Sequence, residues 1–222
     1  MKKQILFLVS FFIFSNVVGQ NFEGSITYKI ELLNPDTNLI SPSRWERSQI
    51  ELFGDKPRYN LQRYYFKNDR YRYDVDYVGK SKLFVYSPKD KKIYSWEKNT
   101  KKAQTINTLE NMDVFTELID VDIVDTIMGI PCHSIVVKSS YGETRFWFNA
   151  NYFKVDASLF KDHKYGHWAQ VVLKTNCLPL KMEQKSAFIH TVQTAIEYRG
   201  MKLEDRMFVL PVFTSISASE MN

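Results

Sequence analysis

His163 and His167 stand four residues apart, the spacing that brings two imidazoles to one helix face and lets them share a metal ion. Gly166 ends a helical reading before His167, and no nearby cluster of Cys, Asp or Glu completes a coordination shell. Both are therefore read as ordinary surface histidines, with no metal or cofactor expected. Cys132 beside His133 pairs a thiol with a base, but neighbours on a strand point to opposite sides of a sheet, so the two cannot act on one atom. Asp74 with Asp76, and Asp120 with Asp122, each place two carboxylates on one strand face. Acid–base chemistry uses such pairs, and a solvated sheet surface carries them equally well. Serine-nucleophile signatures and glycine-rich phosphate loops are missing from a chain with 8 glycines. No catalytic residue is expected, and the chain reads as a non-enzyme. Hydrolysis would need His163, His167 or His190 to converge with carboxylates in one cleft.

The elements available to position any site are strands. In Ser25 to Leu32, apolar Ile26, Tyr28, Ile30 and Leu32 alternate with Ser25, Thr27, Lys29 and Glu31, the period of a half-buried strand. Tyr71, Tyr73, Val75 and Tyr77 alternate likewise with Arg70, Arg72, Asp74 and Asp76. Further strands are predicted over Tyr59 to Phe66, Lys82 to Tyr86, Lys92 to Glu97, Lys102 to Ile106 and Val121 to Thr126. Others follow over His133 to Ser139, Glu143 to Phe148, Ala169 to Thr175, Leu178 to Glu183 and Phe188 to Tyr198. Asn68 with Asp69, Gly79, Ser87 with Pro88, Asn99, Tyr141 with Gly142, and Asn176 supply the turns between them. The fold class that follows is mainly β: a strongly curved antiparallel sheet, or half-barrel, with one or two short helices over its concave face. A helix is predicted from the Ser43-Arg44-Trp45-Glu46 capping box to Phe53, stopping at Gly54. A second runs from Asp156 to Gly166, with Leu159, Phe160 and His163 inward.

Lys2 and Lys3 precede an apolar run from Ile5 to Phe14 and a small-residue exit at Val17 and Gly19, the marks of a secretory signal peptide over residues 1–19. The expected product is one β domain over residues 20–222, exported to the periplasm or the outer-membrane surface and soluble, with no membrane-spanning segment. Taking Lys2 and Lys3 from the 30 basic residues leaves 28 against 25 acidic, too small an excess for a nucleic-acid binder. An oxidising compartment allows a disulfide between Cys132 and Cys177; two separate buried thiols are the alternative, and spacing does not choose between them.

Aromatic residues make up 15% of the chain, and Tyr59, Tyr64, Tyr65, Phe66, Tyr71, Tyr73 and Tyr77 interleave with Arg58, Arg63, Arg70 and Arg72. Such rings line ligand cavities, or simply pack across strands. The order of several short motifs adds to this. Phe22-Glu23-Gly24-Ser25-Ile26-Thr27-Tyr28 and Tyr65-Phe66-Lys67-Asn68-Asp69-Arg70-Tyr71-Arg72 come first. They are followed by Asp125-Thr126-Ile127-Met128-Gly129-Ile130-Pro131-Cys132, Phe146-Trp147, Leu178-Pro179-Leu180-Lys181 and Asp205-Arg206-Met207-Phe208-Val209-Leu210-Pro211. In that order the chain resembles exported single-domain proteins of diderm bacteria related to the LolA-like lipoprotein carriers.

The resemblance implies a LolA-like half-barrel with an apolar concave face that takes a lipid or a lipoprotein acyl chain. The expected function is passive binding of an apolar or amphipathic ligand, with Ile26, Tyr28, Ile30, Tyr71, Tyr73, Val75, Phe146 and Phe148 as its walls. The alternative is an envelope module for a protein or glycan partner with no internal ligand.

Overall fold

The alternation in Ser25 to Leu32 becomes β1 (Gly24–Leu33), whose Ile26 and Tyr28 are buried, and this strand sits inside the sheet rather than at its edge. The computed structural model describes residues 21–77 and 80–219; the expected leader and the turn at Gly79 lie outside the described residues. After β1 come α1 (Pro42–Phe53), β2 (Tyr59–Lys67), β3 (Arg70–Tyr77), β4 (Lys80–Ser87), β5 (Lys92–Glu97) and β6 (Lys102–Asn107). Then follow β7 (Phe115–Ile127), β8 (Ile130–Ser139), β9 (Gly142–Phe148), α2 (Trp168–Thr175), β10 (Lys181–Lys185), β11 (His190–Gly200) and β12 (Ser215–Ala218).

These strands form one open sheet of 12 strands in the order β12-β6-β5-β4-β3-β2-β1-β11-β10-β9-β8-β7. Neighbours are antiparallel except β12, which joins β6 in parallel. The sheet bends so far that Ile93 and Ile106 of β5 and β6 share one core with Ile127, Ile130 and Cys132 of β7 and β8. Register shifts at Thr27/Tyr28 in β1 and Val121/Asp125 in β7 mark bulges, which bend strands and raise their twist.

The concave face is roofed by the segment between β9 and β10. Asp156 caps a 3₁₀ turn at Ala157–Phe160 by accepting from Ser158 N at 3.0 Å, and Phe160 enters the core beside Phe66 and Tyr86. The helix expected from Asp156 to Gly166 is thus two 3₁₀ turns, and the strand expected over Ala169 to Thr175 is α2. Short apolar runs fit strand or helix alike. Here Val172 reaches the main core and Val171 the neighbouring cluster of Ile135, Val137 and Phe146, so packing decides for helix. Left-handed Asn176 (φ 53°) ends it.

Helix α1 starts earlier than the capping box suggests. Ser41 is its N-cap, accepting from Arg44 N, and Pro42 takes the first position, where a missing N–H costs nothing. It ends at Gly54 as expected. On the convex face, Leu83, Val85, Trp96 and Ala103 are covered by Leu210 and Phe213 of the chain leading into β12.

The disulfide is not formed. Cys132 and Cys177 are both free and fully buried, and burial pushes their thiols up to about 11 and about 12. Neither supplies the thiolate that exchange requires, and both behave as small core residues. Both thiols should therefore react with a soluble disulfide reagent only on unfolding, and added reductant should leave the thermal midpoint unchanged. Phe160→Ala should destabilise the fold by about 3–5 kcal/mol in denaturant titration, since it opens the roof at a fully buried aromatic contact.

Candidate ligand-binding groove

Pairing across β3 to β6 sorts the side chains into two faces. Tyr73 faces Phe84, Phe84 faces Ser95, and Ser95 faces Gln104; one step along, Val75, Lys82 and Glu97 are neighbours. Two residues further in the other direction lie Tyr71, Tyr86, Ile93 and Ile106, which the roof buries. The roof stops there. Beyond it, where β4 to β6 end, a groove of ≈ 480 Å³ opens, lined by Lys82, Ser95, Trp96, Glu97, Thr100, Lys102, Ala103, Gln104, Ser215 and Ser217. The last two come from β12, which sets the far wall by pairing Ser215 with Lys102 and Ser217 with Gln104.

The concave face inward of the groove, outside its lining, is aromatic. Phe84 stacks on Tyr73 at 4.3 Å between ring centres, Tyr73 on Tyr64 at 4.7 Å, and Tyr64 meets Tyr28 edge-on at 5.7 Å. Lys82 Nζ lies 5.2 Å from the Phe84 ring centre. Burial raises the Tyr64 and Tyr73 phenols well above their ordinary value, so both stay protonated. The outer end is polar: Lys82 donates weakly to Gln104 Oε1 at 3.5 Å, Lys80 meets Glu97 at 3.4 Å, and Lys102 makes no ion pair among the described residues. Hydroxyls, an amide, an acid and cations, with flat apolar rings alongside, suit an amphipathic ligand.

The eight wall residues expected from the sequence divide. Ile26, Tyr28, Tyr71 and Phe146 are buried in the filled interior. Ile30 and Phe148 are half-buried away from the groove, Val75 borders it through its neighbour Lys82, and Tyr73 packs with Phe84 on the core side of it. The apolar hollow that remains beneath the roof, between Tyr28, Tyr64, Phe66, Trp168, Leu178, Pro179 and Met182, measures ≈ 20 Å³. That is room for roughly one water molecule. Lys82, Ser95, Glu97 and Gln104 escaped notice because polar residues on hairpins resemble any solvated face. Ser95 was the available signal, a small hydroxyl breaking the row that Ile93 begins.

The histidines are buried, not on the surface, at 2% exposure for His163 and 4% for His167. His163 Nε2 shares a 2.8 Å hydrogen bond with the Tyr71 hydroxyl, and His167 Nε2 one of 2.9 Å with Asp113. His190 pairs with Glu183 at 2.9 Å. These are separate places in the fold, and no group of His, Cys, Asp and Glu suited to a metal occurs among the described residues. Arg72 holds Asp74, Ser81 donates to Asp76, and Lys174 pairs with Asp120, so those carboxylates serve surface pairing. Cys132 is buried and His133 exposed, on opposite sides of β8.

Fold and groove together define a mainly β, open curved-sheet protein with a lateral groove. No family model matches the chain, and no curated protein does. Among solved structures, PNGF-II in the P21 crystal form aligns over 89% of this chain at 12% identity with a TM-score of 0.49, and in the C2 form over 89% at 14% with 0.47. This chain spans about a third of PNGF-II, 32% and 31% respectively. A conserved protein of Thermus thermophilus, described as uncharacterised, aligns over 90% of this chain and 91% of its own at 10% identity with a TM-score of 0.49.

His163 sets an acid limit on the fold. Burial lowers its pKa from the ordinary 6.5 to about 4, so the folded protein holds it neutral where the unfolded chain would take a proton. The resulting stability is complete above about pH 6.5 and is lost as pH falls towards about 4, a change on the order of 3 kcal/mol. His163→Gln keeps a polar partner for Tyr71 and should flatten that part of the stability–pH curve measured by urea titration.

Proposed function

We propose that the chain is a non-catalytic binding protein of the cell envelope, exported by the leader expected at residues 1–19, that takes an amphipathic ligand in the lateral groove. The observation that carries this reading is the polar trough of Lys82, Ser95, Glu97 and Gln104, which adjoins the stacked rings of Tyr64, Tyr73 and Phe84 through the register pair of Phe84 with Ser95. A pyranose ring has the matching chemistry: one flat face of C–H bonds to lie on an aromatic ring, and hydroxyls around its edge for amide, carboxylate and serine groups. A glycan, free or as the head of a glycolipid, is therefore the proposed ligand class. The resemblance to the LolA-like carriers supports passive, non-covalent binding in a bent sheet.

An acyl chain is the second reading, favoured by the apolar lining of the small hollow under Pro179. At ≈ 20 Å³ the hollow accepts a chain only if the roof lifts, which would uncover Phe160 and Trp168 to water.

An immobilised oligosaccharide panel followed by calorimetric titration checks the proposal. Gln104→Ala and Lys82→Ala lie outside the buried core and should each weaken binding by about 2- to 12-fold, the worth of one hydrogen bond. Failure of every oligosaccharide to bind, together with uptake of a fluorescent fatty acid that neither substitution alters, would replace the glycan reading by the acyl-chain one.

A further inference from the structure

Two hollows on the convex face meet at Thr27 and Arg63. One, of ≈ 190 Å³, lies over β2 to β4 between Leu61, Asp76 and Lys98, and the other, also ≈ 190 Å³, lies over β1, β2 and β11 between Ser25, Tyr65 and Arg199. Thr27 and Arg63 are direct neighbours across β1 and β2 and line both, so the hollows adjoin there. Neither shares a lining residue with the groove beside Lys82.

The junction holds polar groups with nothing to bind. Ser25 and Thr27 are each 6% exposed, yet neither hydroxyl has a hydrogen-bond partner among the described residues. Groups so deeply buried are normally bonded within the fold. Arg63 beside them is exposed and makes no ion pair or hydrogen bond among the described residues, because the acids in register with this pair are already engaged. Asp74, opposite Arg63 on β3, is gripped at both oxygens by Arg72, at 2.8 and 2.9 Å. Glu197, opposite Thr27 on β11, is held by Arg199 at 2.7 Å. Two unbonded hydroxyls beside an unpaired guanidinium lack one thing, an acceptor from outside.

We propose that this junction binds the carboxylate of a sugar acid. The planar fork of Arg63 matches both oxygens of a carboxylate, and Ser25 and Thr27 each have a hydroxyl proton to donate to it. On either side Asp74 and Glu197 keep lone pairs for the hydroxyls of the ligand's ring. The charge balance selects this class. The charged lining is Arg63, Arg72, Arg199 and Lys98 against Asp74, Asp76 and Glu197, an excess of one positive charge. Lys98 and Asp76 both stand at the Ser81 end, so the surplus falls on Arg63. A phosphate dianion would exceed that single charge and face three carboxylates, whereas an amino acid, with no net charge, would leave it uncompensated. Each hollow is about six times the volume a water molecule takes in the liquid, room for one small ring. Because the site lies apart from the groove, the inference does not depend on the ligand proposed there.

Calorimetric titration of the full chain with glucuronate, and separately with glucose and glucose 6-phosphate, tests the assignment. Glucuronate should bind at least about tenfold more tightly than either comparison sugar, and added salt should weaken it. Arg63→Gln should weaken glucuronate at least about tenfold, the worth of a hydrogen bond to a charged group, and Arg63→Lys, which keeps the charge but not the fork, by less. Thr27→Val should weaken it by about 2- to 12-fold. The thermal midpoint should not fall in any of the three, since neither the Arg63 head nor the Thr27 hydroxyl has a partner within the described fold to lose. Absence of glucuronate binding, binding that survives Arg63→Gln, or tighter binding of glucose 6-phosphate would overturn the inference. The second of these outcomes would place the sugar elsewhere, the groove beside Lys82 included.

Discussion

A bent sheet with an aromatic inner face cannot leave that face to water, and the covering must come from the same chain. The segment from Asn149 to Leu180 supplies it, and two tyrosine hydroxyls fix where it lies. Tyr28 donates to the Pro179 carbonyl at 2.7 Å, and Tyr71 hydrogen-bonds His163 at 2.8 Å. A buried phenol without a partner costs several kcal/mol, so each of these bonds ties roof to floor at a defined point. His163 is held neutral by the burial that Tyr71 and Phe160 help to create, and this couples the seating of the roof to acidity.

Because the roof is pinned at Tyr28 and Tyr71, it covers one part of the concave face and ends before β4 to β6 run out. The rows it covers are packed solid, with Tyr86, Phe160, Ile93 and Ile106 among the least exposed residues of the chain. The rows it leaves, from Phe84 to Gln104, are half-aromatic and half-polar. The groove therefore adjoins the same surface that makes the core, and the stacked rings beside it are part of the core's own stacking. Binding there needs no rearrangement of the interior.

The convex side has a different solution to the same problem. Leu83, Val85 and Trp96 point away from the roof and are covered by Leu210 and Phe213, after which the chain turns into β12. That parallel strand protects the β6 edge, which would otherwise present a row of unpaired backbone groups, and it also completes the groove wall. Elsewhere the convex face is a checkerboard of surface pairs such as Arg72 with Asp74 and Arg199 with Glu197, each worth little to stability.

Most strands were legible along the chain because alternation is local: Ile26, Tyr28 and Ile30, or Tyr71, Tyr73 and Val75, show their face with no knowledge of a neighbour. Helix α1 was legible through its stop at Gly54, and the curved mainly β class followed from the number and spacing of the strands. What depends on distant partners was not. Ala169 to Thr175 is equally apolar as strand or helix until it meets Phe146 and Ile135. The separateness of Cys132 and Cys177, the burial of His163 and His167, the parallel docking of β12 and the opening beyond Phe84 are likewise invisible to periodicity. Sequence by itself determined which face of each strand seeks cover; only the tertiary structure decided how far one covering segment reaches, since that is set by non-local hydrogen bonds at Tyr28 and Tyr71.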